Sequence, residues 1–114
     1  MTVLAGNDDA FLPTLEFGGG GGILVASHVV GEQMREMWDA AQAGDLDRAR
    51  AVDSELREVY GAMGVTTNPM PVKGALAMMG VCDERMRLPM VPLSDEHRAV
   101  VRAALEGVGV PAAH

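Results

Sequence analysis

The sequence predicts an α/β start that passes into a remainder that is mostly α by content, in the order strand, helix, parallel strand, four helices. Three observations predict it. The run Thr2-Val3-Leu4 stops at Ala5-Gly6, and a second apolar run, Ile23-Leu24-Val25-Ala26, follows five consecutive glycines. Apolar residues then recur at helical spacing through most of the chain beyond Val30. Apolar runs bounded by turn residues read as strands, and strand, helix and strand at this spacing make a compact βαβ unit.

Each element has its own signals. Asn7, Asp8 and Asp9 offer capping oxygens and negative charge to a helix from Ala10 to Phe17. Pro13 fits that helix only near its first turn, where amide donors have no intrahelical partner. Gly18 to Gly22 reads as the turn into a buried strand at Ile23. A phosphate cradle is excluded by context, because a nucleotide loop follows a strand and opens a helix, whereas these glycines precede a strand.

Val30, Met34, Met37, Trp38 and Ala41 fall on one helix face, with Gly44 as the stop. Leu46, Ala49, Val52, Leu56, Val59 and Met63 form the next, capped by Asp45, so the two are expected as a helical hairpin. Asn68-Pro69-Met70-Pro71 is a stiff connection, extended at Asn68 and Met70, that launches a third helix at Pro71 or Val72 and ends at Gly80. Pro89 and Pro92 hold the next stretch extended, and Ser94-Asp95-Glu96 opens a final helix through Val108.

The 114 residues suit a single domain, with the pattern changing at 1–44, 45–110 and 111–114. Sixteen acidic against nine basic residues give a net charge of −7, which argues against a nucleic-acid partner, since that would need a Lys/Arg surface. No apolar stretch approaches the ~20 residues of a bilayer span and no secretory signal opens the chain, so a soluble, cytoplasmic protein without a membrane partner is expected. Cys82 stands alone and reads as a small buried hydrophobe. His28 reads as a cap or packing residue. Together with His97, His114 and Cys82 it lacks metal-ligand spacing, so neither a metal nor a cofactor is expected.

Leu4-Ala5-Gly6-Asn7-Asp8-Asp9, Asn68-Pro69-Met70-Pro71-Val72-Lys73 and Arg87-Leu88-Pro89-Met90-Val91-Pro92-Leu93 occur in one order. That order resembles the last part of the dihydrodipicolinate synthase family, pyruvate-dependent class I aldolases on a (β/α)8 barrel, within the superfamily that includes N-acetylneuraminate lyase. The resemblance runs from Thr2 to about Val110. It implies a partial TIM barrel, the last two βα units, followed by a C-terminal helical extension. A whole barrel takes about 250 residues, more than twice this length.

The resemblance also implies that main chain around Gly6 and Ile23 lines the pyruvate pocket, and that no catalytic residue lies in these 114 residues. The family's Schiff-base lysine lies on the sixth strand and its proton-relay tyrosine also lies upstream, so neither role carries over to Lys73 or Tyr60. After Ile23 the sequence departs from the family, with Leu24 for a small hydroxyl residue and Ser27-His28 for Ala-Asn.

In the intact family pyruvate, held as an imine, condenses with aspartate semialdehyde in lysine biosynthesis. The expectation is therefore a C-terminal portion of such a lyase, inactive alone. Its implied partners are pyruvate and an aldehyde in the intact family, and a missing N-terminal half-barrel or a second copy through self-association. Exposed Leu12, Leu15 and Phe17 would drive that association. A noncatalytic helical interaction module and one half of a split lyase are the competing readings.

Overall fold

A computed structural model describes residues 1–112, so the tail expected at 111–114 falls partly, and His114 wholly, outside the described residues. The chain divides into two compact units, Met1–Arg57 and Glu58–His114.

The first unit opens with β1 (Leu4–Ala5), a 3-10 turn at Asp8–Ala10, α1 (Phe11–Glu16) and β2 (Gly21–Gly22). The strands run parallel, Leu4 opposite Gly21 and Ala5 opposite Gly22, so the βαβ start is present. The second strand, however, lies within the glycines and not at Ile23-Ala26. Lacking side chains, the glycines can press against their neighbours. The amide of Gly19 donates to Thr14 O at 2.8 Å and that of Gly20 to Val3 O at 2.8 Å, and a Cβ at Gly19 would lie 2.8 Å from Thr14 O. Gly21 then takes φ +143°, a conformation that favours glycine. Only two residues pair before the chain turns into the next helix, which leaves Ile23 77% exposed and outside the core.

Leu12 and Leu15 are buried beside Phe11, because α1 packs back on the strands and on α2 (Ser27–Gln42). Of the three side chains expected at the surface, only Phe17 is exposed. In α2, Val29, Val30, Met34 and Met37 are buried. Gly44, at φ +81°, ends this stretch, and Asp45 Oδ1 accepts from the Arg48 amide at 3.1 Å to start α3 (Leu46–Met63). Ala49, Val52 and Leu56 form its buried face in this unit.

The second unit holds the end of α3, with Val59, Ala62 and Met63 buried, then α4 (Met70–Met78) and α5 (Asp95–Gly107). Asn68-Pro69 and Leu88-Pro89 are cis. Helix α4 begins at Met70, so Met70 is helical and not extended; Pro71 sits in the first turn, where its missing amide is not needed. Gly80, at φ +78°, closes α4, with the Val81 amide donating to Leu76 O at 3.0 Å. Ser94 Oγ accepts from the His97 amide at 3.2 Å and Asp95 and Glu96 occupy the first turn of α5, as the capping pattern predicts.

Helices α4 and α5 pack together, burying Val72, Ala75 and Met78 on one and Val101, Ala104 and Leu105 on the other. Between them, Glu84 accepts from the Leu93 amide at 3.0 Å and from Arg98 at 2.5 Å, fastening the proline-rich stretch to α5. Gly74 leaves room for Leu93, whose Cγ would lie 3.1 Å from an added Cβ. Cys82 is exposed and not buried, since it follows the stop of α4 on a segment outside any helix or strand.

Candidate functional site

Parallel strands present whatever lies just beyond their C-terminal ends side by side, the usual place for a site in such folds. Here those positions are Gly6 and Ile23. The Ile23 amide donates to Ala5 O at 3.0 Å, continuing the ladder one residue past β2 and setting Ile23 main chain beside the Ala5-Gly6 peptide. A Cβ at Gly6 would meet no heavy atom within 4 Å. Among the described residues, the strand ends therefore form an open lip of main chain with one large apolar side chain, Ile23, standing in solvent.

Asp8 anchors this lip, and its role differs from capping. Its Oδ1 accepts from the Ala26 amide at 3.1 Å, which ties the turn after β1 to the start of α2. Asn7 makes no side-chain cap of the 3-10 turn. Nothing in sequence separates Asp8 from Asn7 and Asp9; only the fold, by bringing residue 26 close, selects it. Asp8→Ala should lower stability by about 0.5–1.5 kcal/mol, the net worth of one such bond, read as a shift in urea midpoint. Asp9→Ala is the control and should shift it less.

The other candidates disperse. His28 is exposed in the first turn of α2 and its side chain makes no hydrogen bond among the described residues, so it neither caps nor packs; Ser27 Oγ donates to Leu24 O at 2.6 Å instead. Lys73 and Tyr60 belong to the second unit, Lys73 half-buried in α4 and Tyr60 buried in α3. Among the described residues, no group of three His, Cys, Asp or Glu side chains could hold a metal ion. No helix among them is long and apolar enough to cross a membrane.

The model of the Dihydrodipicolinate synthetase family matches residues 1–108. The chain belongs to that family. The 4-hydroxy-tetrahydrodipicolinate synthase of Chlorobium limicola is 39% identical over 110 residues, which is 96% of this chain and 37% of that protein. The chain thus spans little more than a third of the length of the curated relatives it matches, as a C-terminal portion of such a protein would. Among solved structures, a dihydrodipicolinate synthase from Thermotoga maritima superposes with a TM-score of 0.93 at 39% identity, covering 96% of this chain and 37% of that one. A chloride-inhibited synthase from Acinetobacter baumannii, complexed with pyruvate, superposes at 0.91 with 31% identity over 96% of this chain and 38% of that one.

Proposed function

We propose that these residues are the C-terminal portion of a pyruvate-dependent lyase of the dihydrodipicolinate synthase type, contributing the last two βα units of its barrel and a helical buttress. The observation that carries it is the pairing of the Ala5-Gly6 and Ile23 main chains at the C-terminal ends of two parallel strands, within a segment of this family. In this reading Gly6 leaves the peptide bare so that a small keto acid can approach main chain, and Ile23 supplies apolar surface beside it. Asp8 holds the two together through Ala26. The amine that forms the imine comes from the upstream part of the family's chain, and Lys73 takes no part.

The upstream part would also cover what is bare here. Each strand of the pair has an outer edge unpaired among the described residues, and Val3, Leu4, Phe17 and Ile23 are exposed. Edges and apolar side chains of this kind recruit a partner or a second copy.

Reductive trapping tests the proposal. Pyruvate with borohydride should leave no adduct on the 114-residue chain, because its one lysine, Lys73, lies on α4 and not at the strand ends where the keto acid is proposed to sit. Co-expression with the upstream part of a closely related synthase should restore an adduct, on that partner's lysine. An adduct on Lys73 of the lone chain would overturn the proposal. The burial of Leu12 and Leu15 favours a second reading, a self-standing helical docking module. A cooperative melt of a monomer, with no restored adduct, would select it.

A further inference from the structure

We propose that the second unit carries an anion-binding site for a small phosphate monoester, built by Lys73, Arg85 and Arg87 over an apolar wall of Met86, Met90 and Pro69. These six residues line an open cavity of about 520 Å³. It does not depend on the lyase reading, since none of its residues lies near Gly6 or Ile23 in sequence and none serves the lip described above.

The sequence builds the cavity in two strokes. Pro69 and Lys73 are one helical turn apart at the start of α4, with the Lys73 amide donating to Pro69 O at 3.0 Å, so they stand one above the other. Arg85, Met86 and Arg87 follow one another in a segment without helix or strand, and all three line the cavity. The Met90 amide then donates to Arg87 O at 3.1 Å, folding Met90 back beside them. Glu84 is turned elsewhere, occupied with Leu93 and Arg98.

Charge is what distinguishes this cavity. In a chain of net charge −7, three of nine basic side chains line one depression. Elsewhere the cations are engaged: Arg35 with Asp39, Arg48 with Glu36, Arg50 with Glu16, Arg57 with Asp53, Arg98 with Glu84, and Arg102 with the Ala112 carbonyl. The side chains of Lys73 and Arg87 make no hydrogen bond or ion pair among the described residues. Arg85 pairs with Asp83 at 3.1 Å, so the three cations and one acid leave about two positive charges, the complement of a phosphate dianion. The Arg85 amide, 2.8 Å from Asp83 Oδ1, then the Arg85 guanidinium and Lys73 hold the Asp83 carboxyl below its ordinary value, so Asp83 stays charged at neutral pH and competes with a bound anion.

Calorimetric titration of the full chain with phenyl phosphate at low ionic strength tests the site. We expect saturable binding of one molecule per chain, weakened at least about tenfold by Arg87→Gln and by Lys73→Gln, and unchanged by Arg35→Gln. Asp83→Asn, which keeps the acceptor and removes the charge, should tighten it. Arg87 is exposed, so its variant should keep the parent's helical circular dichroism and its loss of binding cannot be a loss of fold. Equal weakening by Arg35→Gln and Arg87→Gln, or no saturable binding, would overturn the site. Succinate binding as tightly as phenyl phosphate would overturn the phosphate assignment.

Discussion

Leu105→Ala is expected to lower the stability of the second unit by about 2–5 kcal/mol, the range for truncating a large aliphatic side chain in a packed core. Leu105 is fully buried on α5, on the same helix face as Val101 four residues before it and beside Ala104. Opposite them, α4 buries Val72, Ala75 and Met78. The cost combines the lost transfer of the side chain from water with a cavity that fixed helices refill only in part. Met78, buried on α4, adapts its shape to a neighbouring gap better than a branched side chain does, which places the loss toward the lower end. Val100→Ala is the control, because Val100 is 44% exposed on the outer side of the same helix. It should change stability by no more than about 0.5 kcal/mol. Urea unfolding followed by circular dichroism separates the two, with the midpoint moving and the slope unchanged for Leu105→Ala. Equal midpoints for both variants would mean that the buried face of α5 contributes nothing to the core.

The helices were legible in sequence for a physical reason. In α2, α3 and α5 the apolar positions repeat over ten or more residues, and helix ends carry side-chain chemistry that acts locally: Asp45 and Ser94 as caps, Gly44 and Gly80 at positive φ, Pro71 in a first turn. The second strand was misplaced because a two-residue parallel pairing leaves almost no pattern, and because an apolar run of four, Ile23 to Ala26, outweighs glycines on hydrophobicity alone. What places the strand at Gly21 is close backbone approach to Val3 and Thr14, a tertiary condition. Cys82 and His28 failed similarly, since their burial depended on where the neighbouring helices stopped and started. For the candidate site, resemblance supplied Gly6 and Ile23, and periodicity could not. The Asp8 tie to Ala26 and the meeting of Lys73 with Arg85 and Arg87 needed the fold, because each joins residues more than ten positions apart.

Gly6→Phe is expected to cut the pyruvate adduct of the co-expressed assembly at least about tenfold while leaving the unfolding of the 114-residue chain nearly unchanged. The separation of the two readouts follows from geometry. Within this chain a Cβ at Gly6 meets nothing within 4 Å, and Gly6 is not among the glycines at positive φ, so a larger side chain neither clashes nor strains the backbone. Losing glycine's freedom in the unfolded state would even stabilise the chain by a few tenths to about 1 kcal/mol. In the assembly, by contrast, the space over the lip is where pyruvate is proposed to sit, and forcing a ring into a filled pocket typically costs about 1–3 kcal/mol, roughly one to two orders of magnitude in occupancy. Ile23→Ala should act in the same direction but less, since it removes apolar surface without obstructing the peptide. Lys73→Ala should leave the adduct intact, which guards against a general effect of mutating this segment. Mass-spectrometric yield of the borohydride-reduced adduct, taken beside the melting curve of each variant, reads both quantities. An undiminished adduct with Phe at position 6 would remove Gly6 from the pocket wall, and a destabilised chain would show that its open lip is covered by this chain itself.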